Sequence, residues 1–309
     1  MSTDRADILT TGGTGLVGRS IVRRLLAAGR KVRVISRGAD SASHPGVVIC
    51  RGDFTVRSDL QAAMQGCDAV FHCAAEKRDA RDMTAVNVDG TRQLLEIATE
   101  LRIEFLCYLS SVGVIGKTRA AIVDEDSACR PMTAYGRTKL AAERILGRGL
   151  AGGRVVILRP TNVFGPETLQ PWLENSIRNR LRLFLKGRER SHLVYVEDIA
   201  AVAEHCLRVP SSQNVETFIV SSDEELAGSN AEVQGALATM LESAPGPGRV
   251  SLPLAIPHCL RLLRDGGSNI GSLIYSAGKL RRAGVRLPYG LRGGLNDVVE
   301  AWRNRRTNP

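Results

Sequence analysis

The stretch ILTTGGTGLVG at residues 8–18 most restricts what this chain can fold into. A short apolar run enters a glycine cluster, and IVRRLLAAG follows with Ile21, Val22, Leu25 and Leu26 at helical spacing. The reading is strand, tight turn, helix. Gly12 makes the turn, Gly15 lets backbone approach a pyrophosphate, and Gly18 lets the helix pack closely on the strand. Free N–H groups of the first helical turn then face the phosphates. A glycine triplet alone is also an ordinary turn, but this one is followed by a second strand, KVRVIS, which is the context a dinucleotide cradle requires.

The same rhythm continues through VVICRGDF, a helix from about Ser58 to Gln65, the apolar run DAVFHCAA, and FLCYLSSVGVIG. Alternating strands and helices predict an α/β fold with a doubly wound parallel sheet. At the end of the second strand, a carboxylate would hold the ribose hydroxyls of NAD, whereas a cation would hold the 2′-phosphate of NADP. Ser36 and Arg37 stand there, with Arg33 inside the strand, so NADP(H) is favoured and NAD(H) remains possible; the other reading of Arg37 is a solvated surface arginine. Asp53 either reaches the adenine edge or caps its own turn. Asn87 opens NVDGTRQLLEIA, whose buried face is Val88, Thr91, Leu94 and Leu95, and bridges strand ends in a mainly structural role.

The 309 residues carry a net charge of +10, with 43% hydrophobic and 24% charged residues, which is ordinary for a globular chain. No run approaches the ~18 apolar residues of a membrane span, and MSTDRADILTT lacks the pattern of an export signal. A cytoplasmic enzyme with no membrane partner is expected. Only 4% of residues are aromatic, and no basic tract is interleaved with aromatics, so a phosphate-bearing small molecule accounts for the positive charge better than nucleic acid. Cys50, Cys67, Cys73, Cys107, Cys129, Cys206 and Cys259 are scattered without a CxxC pair; they read as small buried hydrophobes in a reducing compartment, and no metal is expected.

In TAYGRTK, Tyr135 and Lys139 lie at i and i+4, one above the other on a helical face. With this pair in place the chain resembles the extended short-chain dehydrogenase/reductase family, whose best-known members are sugar-nucleotide epimerases, dehydratases and reductases. The matching segments run in order over nearly the whole chain: TGGTGLVG, GDF, HCAA, SSVGVIG, YGRTK, RPTNVFGP, YVEDIAAV and KLRRAGVRLPYGLRGGL. The resemblance implies a Rossmann-type sheet with a smaller, mostly helical C-terminal substrate lobe. The dinucleotide-binding part would span 1–163, completed by about 192–222, and the lobe 164–191 and 223–309. It further implies cofactor contacts at Leu16, Val17, Phe54, Cys73, Ala74, Ala75, Asn87, Tyr135, Lys139 and Pro160, and a homodimer through helices that include the one bearing Tyr135.

By the same resemblance Tyr135 is the general acid/base, Lys139 its activator, and Ser111 the residue that polarises a carbonyl, with Ser110 as the neighbouring alternative. The chemistry is consistent with those roles. A tyrosine with an ordinary pKa near ~10 is a poor base at neutral pH, and a close ammonium favours its phenolate. A serine hydroxyl bonded to the carbonyl oxygen helps to hold the reacting carbon in place.

The lobe is less explicit. Arg178, Arg180, Arg182, Lys186, Arg188 and Arg190 form the densest cationic stretch, either a clamp on the diphosphate of a nucleotide sugar or a solvated basic face. Asn162, Arg188 and Arg190 are the residues the resemblance places beside substrate, together with Ser111. The expected function is an NADP(H)-favouring oxidoreductase acting on a carbonyl or hydroxyl carbon, foremost of a nucleotide-activated sugar. The alternatives are a sugar-nucleotide 4-epimerase with retained cofactor, a steroid- or flavonoid-like ketone reductase, and a non-catalytic NADP-sensing module. Dehydration is disfavoured, because Val112-Gly113 stands where an Asp-Glu pair would follow the serine.

Overall fold

A computed structural model describes residues 7–38, 46–173, 176–225, 228–242, 251–265, 269 and 271–307. In chain order its elements are β1 Asp7–Thr11, α1 Leu16–Ala27, β2 Lys31–Ser36, β3 Val47–Arg51, α2 Arg57–Met64 and β4 Cys67–His72. Then come α3 Gly90–Glu100, β5 Phe105–Leu109, β6 Ile122–Val123, α4 Ala134–Leu146, β7 Arg154–Pro160 and β8 Asn162–Phe164. The remainder is α5 Gln170–Leu173, α6 Ile177–Lys186, β9 Leu193–Tyr195, α7 Val196–Arg208, β10 Val215–Val220, α8 Asn230–Met240, α9 Ala255–Asp265, β11 Ile274–Tyr275, α10 Gly278–Arg282 and α11 Gly290–Thr307.

Seven strands form one sheet in the order β10-β7-β5-β4-β1-β2-β3, and the pairs among β1–β5 and β7 are parallel. The chain winds outward from β1 in both directions, so the order reverses between β1 and β4, the place where such sheets open a crevice at their carboxyl ends. The registers Thr11↔His72 and His72↔Tyr108 align those ends. Strands buried on both faces are nearly continuous in apolar residues: Ile8, Leu9, Val70, Phe71, Leu106, Val156 and Leu158 are all inaccessible.

The residues cluster into two compact units. The first comprises Met1–Val114, Pro131–Arg159 and Ile199–Phe218; the second comprises Ile115–Arg130, Pro160–Asp198 and Ile219–Pro309. The second unit thus takes in residues 115–130, 160–163, 192–198 and 219–222, which the sequence places in the first part. It holds two short strand pairs, β11-β6 and β8-β9, beside its helices. Within 192–222, which the sequence expects to complete the dinucleotide-binding part, the strand LVY at 193–195 also departs. It pairs with β8 instead of entering the main sheet, and the chain turns straight into α7 after three residues.

Gly18 shows how tightly the first strand and helix are joined, because a Cβ there would collide with the carbonyl of Gly12. Gly18→Val should therefore lower the melting temperature, corresponding to roughly 1–3 kcal/mol of overpacking, and a scanning calorimetry trace unchanged from wild type would contradict this packing.

Candidate active site

The glycine loop leaves room where a ligand would need it. Gly12 has φ +65°, and a Cβ on it would lie 2.6 Å from the amide nitrogen of Ala74. The turn after β1 thus approaches the segment Cys73-Ala74-Ala75 after β4 closely, and the Cys73 N–H donates to the Thr11 carbonyl at 3.1 Å. Gly15 caps α1 without a side-chain acceptor, and helix geometry leaves the N–H groups of the first turn, at Leu16, Val17 and Gly18, without intrahelical acceptors and facing where an anion would sit. These features fit a dinucleotide pyrophosphate.

Arg37 follows β2 with its side chain 85% exposed and its guanidinium 3.8 Å from Asp53 Oδ2. The other oxygen of Asp53 accepts from the Thr55 N–H at 2.9 Å and the Thr55 hydroxyl at 2.8 Å, so this aspartate caps its own turn. Burial raises its carboxyl, but the Thr55 bonds and Arg37 outweigh that and hold it below the usual range. Phe54 packs its ring against Gly90 and 5.6 Å from the ring of His72. Asn87 is 1% exposed and fully engaged: it accepts from Glu76 N–H at 2.8 Å and donates to the Glu76 carbonyl at 2.7 Å and the Thr138 hydroxyl at 3.0 Å. It is a brace between the segment after β4 and α4. Pro160 closes β7 and is buried.

Thr133 starts α4 by accepting the Gly136 N–H at 3.0 Å. Gly136 permits close packing, since a Cβ there would lie 2.6 Å from the Gly113 carbonyl in the single 3₁₀ turn Val112–Val114. That turn follows Ser111, whose Oγ accepts the Gly113 N–H at 3.1 Å. Lys139 is 1% exposed and donates from Nζ to the Leu109 carbonyl at 2.6 Å, two residues before Ser111. Its ammonium sits 4.4 Å from the ring centre of Tyr108 and 5.8 Å from that of Tyr135. Helix α4 thereby brings Tyr135 and Lys139 to the end of β5 that carries Ser111.

The electrostatics differ from the sequence expectation that the lysine lowers the tyrosine. Burial pushes the Tyr135 hydroxyl up to about 12 and the Lys139 ammonium down to about 7. Desolvation disfavours both charges, and a lysine only partly charged at neutral pH exerts a reduced field on its neighbour.

A buried network behind these residues was not visible as such in the sequence. Ser110 donates to Glu143 Oε1 at 2.5 Å, and Arg159 binds both oxygens of the same carboxylate, from Nε at 3.0 Å and Nη2 at 2.7 Å. All three are less than a tenth exposed. The Ser110 hydroxyl is therefore committed to α4, whereas Ser111 is half-buried. Glu143 lies four residues after Lys139, the one sequence signal that could have found it. Nearby, His72 Nδ1 lies 2.7 Å from the Thr11 hydroxyl and Nε2 3.1 Å from that of Thr91, which itself donates to the Asn87 carbonyl at 2.7 Å. That chain assigns the proton to Nε2, and burial holds the ring neutral, with its pKa down at about 3.

In the second unit a cavity of about 670 Å³ is lined by Asn162, Phe164, Trp172, Arg178, Leu181, Arg182, Leu185, Lys186, Arg190 and His192, among others. Arg182 stacks 3.6 Å over the Trp172 ring and donates to amide oxygens of Asn179 at 2.8 Å and Asn230 at 3.2 Å. Those partners carry no charge, and burial lowers the Arg182 pKa to about 10; the carboxylate of Glu189, also in the lining, is paired with Arg261 at 2.6 Å, so an anionic ligand would suit Arg182. Arg190 lines the cavity with Nη1 on the Asp223 carbonyl at 3.0 Å, while Arg188 is exposed and outside the lining. The Asn162 side chain donates to the Ser191 carbonyl at 2.8 Å. Among the described residues no cluster of His, Cys, Asp or Glu could hold a metal ion, and no helix is long and apolar enough to cross a membrane.

A model of the NAD dependent epimerase/dehydratase family matches residues 8–221. Sterol demethylase protein B of Methylococcus capsulatus is 29% identical over 277 residues, covering 83% of this chain and 80% of that protein. Human sterol-4-alpha-carboxylate 3-dehydrogenase, decarboxylating, is 30% identical over 70% of this chain and 62% of its own. Among solved structures, the Bordetella bronchiseptica enzyme WbmG, in complex with NAD and UDP, superposes with a TM-score of 0.77 at 21% identity, covering 98% of this chain and 96% of that one; at this identity the likeness is one of fold. Glu143→Ala should cost roughly 3–5 kcal/mol in urea unfolding by stranding Arg159, with Glu143→Gln costing less because it keeps an acceptor for Ser110; equal stability of all three proteins would contradict the brace.

Proposed function

Since the chain belongs to the NAD-dependent epimerase/dehydratase family and is an oxidoreductase of the short-chain dehydrogenase/reductase type, we propose that it interconverts a carbonyl and a hydroxyl carbon with NADP(H) as the favoured cofactor. The observation that carries this reading is Lys139, buried on the same helical face as Tyr135 and tied to Leu109 just before Ser111. Bound nicotinamide would accept or deliver the hydride. Tyr135 would hold the proton that goes to the carbonyl oxygen; a hydroxyl whose pKa lies near 12 is protonated throughout the working range, which suits an acid in the reductive direction. Ser111 would orient that oxygen, and Lys139 would supply positive charge behind Tyr135. Arg37, exposed at the end of β2, supports the preference for a 2′-phosphate.

For the substrate, Arg182 on Trp172 supports a molecule with an anionic group, a nucleotide-activated sugar being the first candidate. Retained cofactor would make the reaction a 4-epimerisation of such a sugar. A steroid-like ring alcohol or ketone is the second reading, favoured by the two relatives named for sterol chemistry and by the apolar wall of Phe164, Leu181 and Leu185.

Mass spectrometry of the dinucleotide released on denaturation, with NADPH oxidation assays on a 4-keto nucleotide sugar and a 3-ketosteroid, tests these choices. Turnover with NADPH is expected, and tightly retained NAD(H) without NADPH oxidation would overturn the reductase assignment. Lys139 is charged below its pKa of about 7 and neutral above it, so reductive turnover should fall as pH rises through that value. Lys139→Arg, charged at every working pH, should move that limb upward even where it slows turnover; an unmoved limb would assign the titration to another group.

A further inference from the structure

Two helices of the second unit present apolar faces away from their own core. In α6 the buried residues are Asn179 and Leu183, while Ile177, Leu181, Phe184 and Leu185 lie on the opposite side. Ile177 is 84% exposed and Leu181 is 56% exposed. In α9 the stripe Ile256, Leu260 and Leu263, at i, i+4 and i+7, is likewise outward, with Leu263 85% exposed. The two are joined locally: the Leu252 N–H donates to the Phe184 carbonyl at 2.9 Å, and Arg261 of α9 pairs with Glu189 at 2.6 Å. Single exposed leucines are normal on a protein surface, but a stripe on each of two connected helices is not.

The charge around the α6 face selects the occupant. On α6 the apolar arc is flanked by Arg180 on one side and Arg178 on the other, with Lys186 at the end, and no acidic residue occurs from Ile177 to Lys186. A second copy would set one cationic rim against another. Anionic lipid headgroups would neutralise the rim while the leucine and isoleucine side chains enter the acyl boundary, the arrangement of an interfacial helix. We propose that α6 and α9 dock this protein peripherally on an anionic bilayer. Leu181 and Leu185 belong both to the docking face and to the lining of the cavity, so an apolar substrate could pass from lipid to cavity along α6. The absence of a spanning segment, from which no membrane partner is expected, does not bear on contact of this kind. The docking does not depend on the reaction proposed above and can fail or hold independently of it.

The test is sedimentation of the full chain with vesicles of phosphatidylcholine alone or mixed with phosphatidylglycerol, at low and high salt. Ile177→Ser/Leu263→Ser removes two exposed side chains outside the cavity lining, and its melting temperature and circular dichroism verify that it folds. Wild type should sediment with the anionic vesicles at low salt, and the double variant should bind about tenfold less or weaker still. High salt should release wild type, and phosphatidylcholine alone should not retain it. No binding to anionic vesicles, or undiminished binding of the folded variant, would overturn the proposal. So would a wild-type dimer that the variant converts to monomer, since a second copy would then cover the face.

Discussion

The carboxylate of Glu143, held by Arg159 and Ser110, fixes the geometry of the end of the first unit that carries Ser111, Tyr135 and Lys139. Burying that charge is costly, and the forked guanidinium with an added hydroxyl donor offsets the cost only while all three groups stay in register. Because Glu143 is on α4, Arg159 near the end of β7 and Ser110 just past β5, the helix cannot slide along the sheet without stranding a charge. The close approach of Gly136 to Gly113 and the bond from Lys139 to Leu109 are set within that frame.

Rigidity of this kind has an electrostatic consequence. The dry environment that holds Lys139 in place also lowers its pKa to about 7, and Tyr135 rises to about 12 beside it. The site therefore favours neutral forms of both groups. His72 is neutral as well, fixed between two threonine hydroxyls, so the ends of β1 and β4 are joined without adding a charge near the lysine. At neutral pH only part of the population carries the Lys139 charge.

Much of this was legible from residues 8–18 and 133–139, because a glycine loop between strand and helix and an i, i+4 pair on a helix are local patterns with local geometric meaning. Glu143 was not: four residues beyond Lys139, a glutamate on a helix looks like any solvated charge, and only the sheet reveals that Arg159 and Ser110 meet it. Arg182 was one of six cations in a row, and what separates it from Arg188 is the Trp172 ring beneath it and the cavity beside it. LVY had the composition of a sheet strand, yet its pairing with Asn162–Phe164 depends on where β7 ends, which no local pattern encodes.

The central proposal is that Tyr135 holds the proton and Lys139 supplies charge behind it, so that the two act as one unit. A double-mutant cycle on turnover, comparing Tyr135→Phe, Lys139→Met and the pair, tests it most directly. If they act together, the double variant should lose no more than about the larger single loss, a drop on the order of 10²–10⁴. Losses that multiply would mean that the two side chains contribute independently, and would contradict the account.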